Sequence, residues 1–270
     1  MNEFRGIAFD ALATAKPFIE DGSEASLRHA AVNLRMAIEA LVYERAQLYK
    51  DDLPSLEYLT WQPRKLLLAL LEIDPHVDQS GKVAIGLEAS PGEQPKTMHL
   101  VGEEVVLSLA IIKKHYDALG SYLHVPTLQQ IEAGYERDWA KAKTKIMSVA
   151  QEVQRVLDSS VWNVDFRLTG AIECYKCGTE IKRRYRKDDH RRIVNCSNDQ
   201  CAASYELYFD ADNGVPMFAP QNQKVICQNN DCKEELIIWN RQLRPGSRLT
   251  CRHCKTKYTV GVSIYIDEQT

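Results

Sequence analysis

Cys174-Tyr-Lys-Cys177, Cys196-Ser-Asn-Asp-Gln-Cys201, Cys227-Gln-Asn-Asn-Asp-Cys232 and Cys251-Arg-His-Cys254 hold all eight cysteines of the 270-residue chain. The spacing runs C-x2-C, eighteen residues, C-x4-C, and then repeats in mirror order, C-x4-C, eighteen residues, C-x2-C. Two close pairs held about eighteen residues apart form the ligand pattern of a four-cysteine zinc site, and it occurs twice. Zn²⁺ takes four soft ligands in a tetrahedron with Zn–S bonds of about 2.3 Å. Each short turn puts two thiolates on one side of the ion, and the second turn brings the other two.

The residues between the pairs then read as hairpins. Glu180–Lys182 and Arg192–Val194 are expected to be the strands of one. Glu235–Trp239 and Ser247–Thr250 are expected to be those of the other, with Pro245-Gly246 at the turn. A disulfide framework would require an oxidising compartment. Residues 1–25 carry no charged start, apolar core and small-residue cleavage site. Buried reduced cysteines would not explain close pairing at every position. His190 and His253 could stand in for a cysteine, but two complete sets leave both unneeded. With four protein ligands apiece, neither site keeps a position open for substrate, so the two zinc ions are expected to be structural.

The chain is 44% hydrophobic and 26% charged, the composition of a folded globular protein. No run approaches the ~20 apolar residues of a membrane span. Reduced metal-binding cysteines with neither leader nor span point to the cytoplasm and to no membrane partner. The net charge of −3 is unevenly placed: residues 1–170 hold 18 Lys+Arg against 24 Asp+Glu, residues 171–270 hold 16 against 13. Two tetrathiolate zinc sites, each formally −2, offset that second excess. Any argument for nucleic acid therefore has to be local.

Residues 1–162 read as a helical bundle with a small inserted β-hairpin. A first helix closes at Lys16, before Pro17, and Asp21-Gly-Ser-Glu24 reads as a capping box with Asp21 as N-cap. Leu27, Ala31, Leu34, Ile38 and Leu41 then share one helical face out to about Lys50, where Asp51-Asp52-Leu53-Pro54 ends the helix. Pro63 opens a helix through Leu71. Lys82–Glu88 and Thr97–Val101 form the hairpin around Ser90-Pro91-Gly92, and Gly102–Leu123 is helical again. The longest helix is expected to start at Thr127, capped with Gln130. It would carry an apolar stripe of Leu128, Ile131, Tyr135, Trp139, Ala142, Ile146, Val149, Val153 and Val156 along the bundle or across a dimer seam.

Leu34-Arg35-Met36-Ala37-Ile38-Glu39-Ala40-Leu41, followed by Leu119-Gly-Ser-Tyr-Leu-His124, resembles the HEPN-type helical domains of prokaryotes over about residues 20–160. The resemblance implies a small bundle that dimerises and works in toxin–antitoxin or antiphage defence systems. Ribonuclease members carry an arginine four to six residues before a histidine. Neither His115 nor His124 has one there; Arg184/His190 and Arg248/His253 fit the interval but lie in the cysteine region. The departure favours a non-catalytic dimerisation or scaffold role. Arg35 and Glu39, one helical turn apart, read first as an intrahelical pair.

The cysteine half resembles tandem zinc ribbons, the first at 171–210 and the second at 224–267, joined by a linker at Asp210–Gln223. Asn163–Gly170 is expected to link the helical domain to them. Cys174-Tyr-Lys-Cys177-Gly178 and Cys251-Arg-His-Cys254 have the form of ribbon knuckles. The chain as a whole is thus α+β. The resemblance fixes metal and fold and leaves function open, because ribbons bind DNA, RNA and proteins alike.

Lys182-Arg-Arg-Tyr-Arg-Lys-Asp-Asp-His-Arg-Arg192 is the sharpest functional feature, with seven basic residues in eleven. At an exposed hairpin tip, Lys182, Arg183, Arg184, Arg186, Lys187, Arg191 and Arg192 would meet phosphates, and Tyr185 would stack on an unpaired base. Arg241, Arg244, Arg248 and Arg252 would extend that surface. A solvated hairpin partly neutralised by Asp188 and Asp189 is the plainer alternative. The leading expectation is a non-catalytic nucleic-acid-binding protein. The second is an adaptor that docks a protein through Tyr205, Tyr208, Phe209 or Trp239. The third is a divergent ribonuclease using Arg35, Glu39, His115 or His124.

Overall fold

Leu27, Ala31, Leu34, Ile38 and Leu41 are all buried on one face of α2 (Glu24–Ala46), the central helix of the N-terminal unit. Burying each leucine or isoleucine among them contributes about 1.5–3 kcal/mol. The computed structural model describes residues 3–52, 62–90, 93, 95–164 and 168–261. It divides into a helical unit, residues 1–166, and a β-rich unit, residues 167–270. The chain is α+β. No described helix is long and apolar enough to cross a membrane.

Around α2 pack α1 (Glu3–Asp21), α3 (Pro63–Ile73), α4 (Leu109–Leu123) and α6 (Trp139–Leu157). α1 continues through Pro17 rather than stopping before it. Proline there forgoes one main-chain bond, but ending the helix would strand buried Ile19 and separate Phe18 from His29, whose rings stack 5.2 Å apart. The N-cap of α2 is Ser23, which accepts from the Ser26 amide at 3.3 Å, not Asp21. Asp21 instead accepts from the Ser23 amide and hydroxyl. A single 3₁₀ turn over Gln47–Tyr49 closes α2; Leu53-Pro54 lies outside the described residues.

The hairpin is present as β1 (Gly81–Ile85) and β2 (His99–Glu104), paired antiparallel from Gly81↔Glu104. Pro91-Gly92 of its expected turn lies outside the described residues. Gly102–Glu104 belongs to β2, so α4 begins only at Leu109, where the Ser108 hydroxyl accepts from the Ile111 amide. The helix expected from Thr127 is two helices. The Thr127/Gln130 capping box exists, but it opens the five-residue α5 (Leu128–Glu132), which ends at Gly134 with φ +66°. α6 then restarts under its own N-cap, Asp138. The stripe splits with the helix. Ala142, Ile146, Val149, Val153 and Val156 are buried, whereas Leu128, Ile131 and Tyr135 are exposed.

Buried ion pairs tie α2 to α1 and to β2. Arg5 meets Glu44 at 3.1 Å, and Arg45 meets Glu104 at 2.9 Å. Arg5 also donates to the Val156 and Leu157 carbonyls at 2.9 and 3.0 Å, closing the C-terminal end of α6. Burial pushes the Glu44 carboxyl up even against the pull of Arg5.

The β-rich unit departs most from expectation. β3 (Leu168–Glu173) pairs with β4 (Glu180–Tyr185), and β5 (Arg192–Asn195) pairs with β6 (Ser204–Asp210). β8 (Asn222–Ile226) pairs with β9 (Glu235–Trp239), and β10 (Arg248–Thr250) with β11 (Lys257–Thr259). The expected hairpins between 180–182 and 192–194, and between 235–239 and 247–250, are therefore replaced. Every cysteine pair sits in the turn of its own hairpin, and the strands that flank one pair bond to each other. The expected linker at Asp210–Gln223 is also corrected. It forms β7 (Val215–Pro220), third strand of the β5–β6–β7 sheet, and the start of β8. β3 begins inside the expected link Asn163–Gly170, of which residues 165–167 lie outside the described residues, as does 262–267 of the second ribbon.

The buried ion pairs generate a prediction. Arg5→Ala leaves the Glu44 carboxylate buried opposite a vacated site, and we expect a loss of about 3–5 kcal/mol in the helical unit by urea unfolding. The double change Arg5→Met, Glu44→Leu, which removes both charges, is expected to cost less than Arg5→Ala alone. A single-variant loss below about 1 kcal/mol would contradict the buried pairing.

Candidate metal centres

The pairings Glu173↔Glu180, Asn195↔Ser204, Ile226↔Glu235 and Thr250↔Lys257 each enclose one cysteine turn. In the two C-x2-C turns the chain folds identically. Gly178 donates to the Cys174 carbonyl at 2.8 Å, and Lys255 to the Cys251 carbonyl at 3.0 Å. Cys174 donates to the Thr179 carbonyl and Cys251 to the Thr256 carbonyl, both at 2.9 Å. This turn needs a positive φ after its second cysteine. Gly178 supplies it at +75°, and Lys255 adopts it at +62°. The C-x4-C turns match as well: the Asn198 and Asn229 carbonyls accept from Cys201 and Cys232 at 2.8 and 3.0 Å.

Folding brings the hairpins together so that the sulfurs of Cys174, Cys177, Cys196 and Cys201 all lie within 4.8 Å of one another. Those of Cys227, Cys232, Cys251 and Cys254 do the same. Four bonds of about 2.3 Å in a tetrahedron imply edges of about 3.8 Å. The separations Cys174–Cys201, Cys177–Cys196, Cys227–Cys254 and Cys232–Cys251 are 3.8, 3.5, 3.6 and 3.8 Å. A disulfide would need about 2.05 Å, and all eight thiols are free. The donors fit two metal ions, and the two groups fit zinc ribbons.

Hydroxyls complete each sulfur cluster. Tyr205 Oη lies 3.4 Å from Cys174 Sγ and accepts from the Tyr175 amide at 2.9 Å. Tyr258 Oη lies 2.9 Å from Cys227 Sγ and accepts from the Gln228 amide at 3.2 Å. In both sites the first cysteine thus meets a tyrosine placed four residues after the last one. Burial, and then the bond to Cys174, pushes the Tyr205 phenol up, so it keeps its proton as a donor. Thr179 and Thr256 play a parallel part, with Oγ1 at 3.3 and 3.1 Å from Cys177 and Cys254. Each threonine hydroxyl holds its neighbouring thiol down, to about 6. Sequence reading missed these four residues as parts of the sites. The repeated offsets Cys-x-Thr and Cys-x3-Tyr were the available signal.

The arginine run is placed differently from expectation. Arg183, Arg184 and Tyr185 are only 3%, 6% and 6% exposed. Tyr185 stacks on Phe209 with centroids 6.0 Å apart, so its ring is committed within the protein. Arg183 Nη2 donates to the Asn195 carbonyl at 2.6 Å, and Arg192 Nη2 to the Arg184 carbonyl at 2.7 Å. These bonds join β4 to β5, which share no ladder, and that is why the side chains turn inward. Their expected exposure is corrected. Lys182 pairs with Glu180 at 3.2 Å, and Arg191 pairs with Glu206 at 3.3 Å while covering the Tyr208 ring. Arg186, Lys187, His190 and Arg191 are exposed in the loop between β4 and β5. Arg241, Arg244, Arg248 and Arg252 are exposed in the second ribbon.

In the helical unit Arg35 and Glu39 both turn to Tyr116. Arg35 lies over its ring at 3.7 Å, and Glu39 accepts from its hydroxyl. Burial and Glu39 push that phenol up to about 12. The expected pairing of Arg35 with Glu39 is replaced by this shared partner. His115 is buried, with burial and Lys145 holding its pKa down. His124 is exposed at the C-cap of α4, its carbonyl accepting from Arg137 at 3.1 Å. No known family matches the chain, and comparison with curated proteins and with solved structures returns no significant match.

Removing either tyrosine hydroxyl tests the sulfur environment. Tyr258→Phe keeps the ring but deletes the donor to Cys227, and we expect metal affinity at that site to fall about 10–100-fold in competition with a chelator. Tyr205→Phe is expected to do the same at the first site. Unchanged affinity in both variants would contradict a role for the hydroxyls.

Proposed function

We propose that the β-rich unit is a pair of structural zinc ribbons that bind nucleic acid through an exposed basic loop. The helical unit serves in this reading as a HEPN-like scaffold. Zinc is the ion favoured by two all-thiolate, four-coordinate donor sets. The observation that carries the binding surface is what remains of the arginine run after burial. Arg186, Lys187, His190 and Arg191 are solvent-facing at one loop, on a scaffold fixed by Cys177 on one side and Cys196 on the other.

The charge at this loop is local. Asp189 accepts from the Arg186 amide at 2.9 Å, and the turn this forms sends the Arg186 and Lys187 side chains outward. Guanidinium groups suit phosphate oxygens by geometry as well as charge. With Tyr185 in the core, base stacking drops out, so contacts are to the backbone and carry little sequence preference.

Retention on single- and double-stranded DNA and RNA at two salt concentrations tests the reading. Binding is expected to weaken steeply with salt. Changing Arg186, Lys187 and Arg191 together to Ala should reduce the dependence of log K on log salt by about 2–3. Arg183→Ala is expected to lower stability instead, because its guanidinium joins two strands. Absence of binding at low salt, or an unchanged salt slope in the triple variant, would overturn the assignment. Of the residues expected to dock a protein partner, Tyr205 and Trp239 are buried, at 0% and 4% exposure, and only Tyr208 and Phe209 reach the surface in part.

A further inference from the structure

The two sulfur clusters have the same turns, the same hydroxyl partners and the same sulfur spacing, but different surroundings. Cys174, Cys196 and Cys201 belong to one apolar cluster with Ile181, Val194, Tyr205, Leu207 and Phe218. Among the described residues, no apolar cluster includes a cysteine of the second site. Cys177 is exposed while Cys227 and Cys251 are 0% and 1% exposed, so the contrast lies in the apolar support around the sulfurs and not in the burial of the thiols.

The strands differ in the same sense. The first site is flanked by six β3–β4 pairs and by the three-stranded β5–β6–β7 sheet. The second is flanked by five β8–β9 pairs and only three β10–β11 pairs. Isolated two-stranded hairpins of that length are marginal in water. Among the described residues of the second ribbon the one large buried side chain is Trp239, and it packs on Tyr205 at 5.4 Å, inside the first ribbon's cluster. Tyr205 is fully buried, whereas its counterpart Tyr258 is only half-buried.

Where few apolar contacts support a site, metal binding supplies much of the free energy that orders the chain, and binding and folding become one equilibrium. For a site embedded in a core, the ligands stay assembled when the ion leaves, and rebinding competes with escape. We propose that the second site, Cys227/Cys232/Cys251/Cys254, exchanges its thiophilic divalent ion while the first retains its own. Occupancy of the second site then switches the β10–β11 hairpin between ordered and disordered, and with it the placement of Arg248 and Arg252. This rests on the reading of both clusters as zinc sites; it does not depend on nucleic-acid binding.

The test uses the full chain carrying two equivalents of Zn²⁺. Excess EDTA is added, release of the ion is followed over time, and amide hydrogen exchange is measured after the first equivalent has left. Two phases of one equivalent each are expected, with rates at least tenfold apart. Exchange protection should vanish over residues 246–260 and persist over 168–207. Cys232→Ser should abolish the fast phase and leave the slow one unchanged. Two equivalents leaving in a single phase would overturn the inference while leaving the zinc reading intact, as would a fast phase that survives in Cys232→Ser. A chain that carries no metal would overturn both.

Discussion

Four sulfurs brought to one point, twice, is the constraint on which the β-rich unit depends. Hairpins of three to six residue pairs bury too little apolar surface to offset the entropy of ordering their chains. Joining two of them at their turns supplies the missing cross-link. In the first ribbon that link is reinforced by an apolar cluster around Tyr205 and by Arg183 and Arg192, whose guanidinium groups bond to carbonyls across β4 and β5. Among its described residues the second ribbon has the sulfurs and their hydroxyl partners Tyr258 and Thr256, and no such apolar cluster around them. The sequence mirror, C-x2-C before C-x4-C and then the reverse, is the same two hairpins used in exchanged order.

The placement of the arginines shows how a charged run divides between structure and surface. Guanidinium groups are weakly hydrated and carry several donors in a plane, so they tolerate burial where carbonyls are free to accept. β4 and β5 share no ladder, and the carbonyls of Arg184 and Asn195 accept from Arg192 and Arg183 across the gap. Arg183 and Arg192 answer them, and the residues between form the outward loop. The same logic operates in the helical unit, where Arg5 meets both Glu44 and the last carbonyls of α6. In each case a guanidinium group donates to main-chain carbonyls of a neighbouring element.

Legibility in the sequence tracked how local the cause was. The sulfur clusters were readable because cysteine spacing is a direct image of ligand geometry. The α2 face, the Thr127/Gln130 box and the β1–β2 hairpin were readable from periodicity and caps a few residues long. The Thr127 helix was misread because a stripe of apolar residues was continued through Gly134, whose positive φ ends α5 and leaves Leu128 and Ile131 exposed. The strand partners in both ribbons differ from expectation because the eighteen residues between cysteine pairs read as one hairpin when only their length is weighed. Pairing is decided by the tightest turn, and those turns are the cysteine knuckles themselves. Which arginines turn inward depends on where that pairing puts the carbonyls of Arg184 and Asn195, so it was invisible from the run alone. Tyr205 and Tyr258 were visible in principle, since both follow the last cysteine of their site by four residues.

The central claim is that eight thiols converge as two four-sulfur metal sites that hold the β-rich unit together. Elemental analysis of the purified chain, coupled to a thiol count before and after denaturation in chelator, tests it most directly. The account predicts two zinc ions per chain, with no cysteine in a disulfide and all eight thiols titratable once the metal is stripped. A metal-free chain, or one in which cysteines are recovered as disulfides, would contradict it.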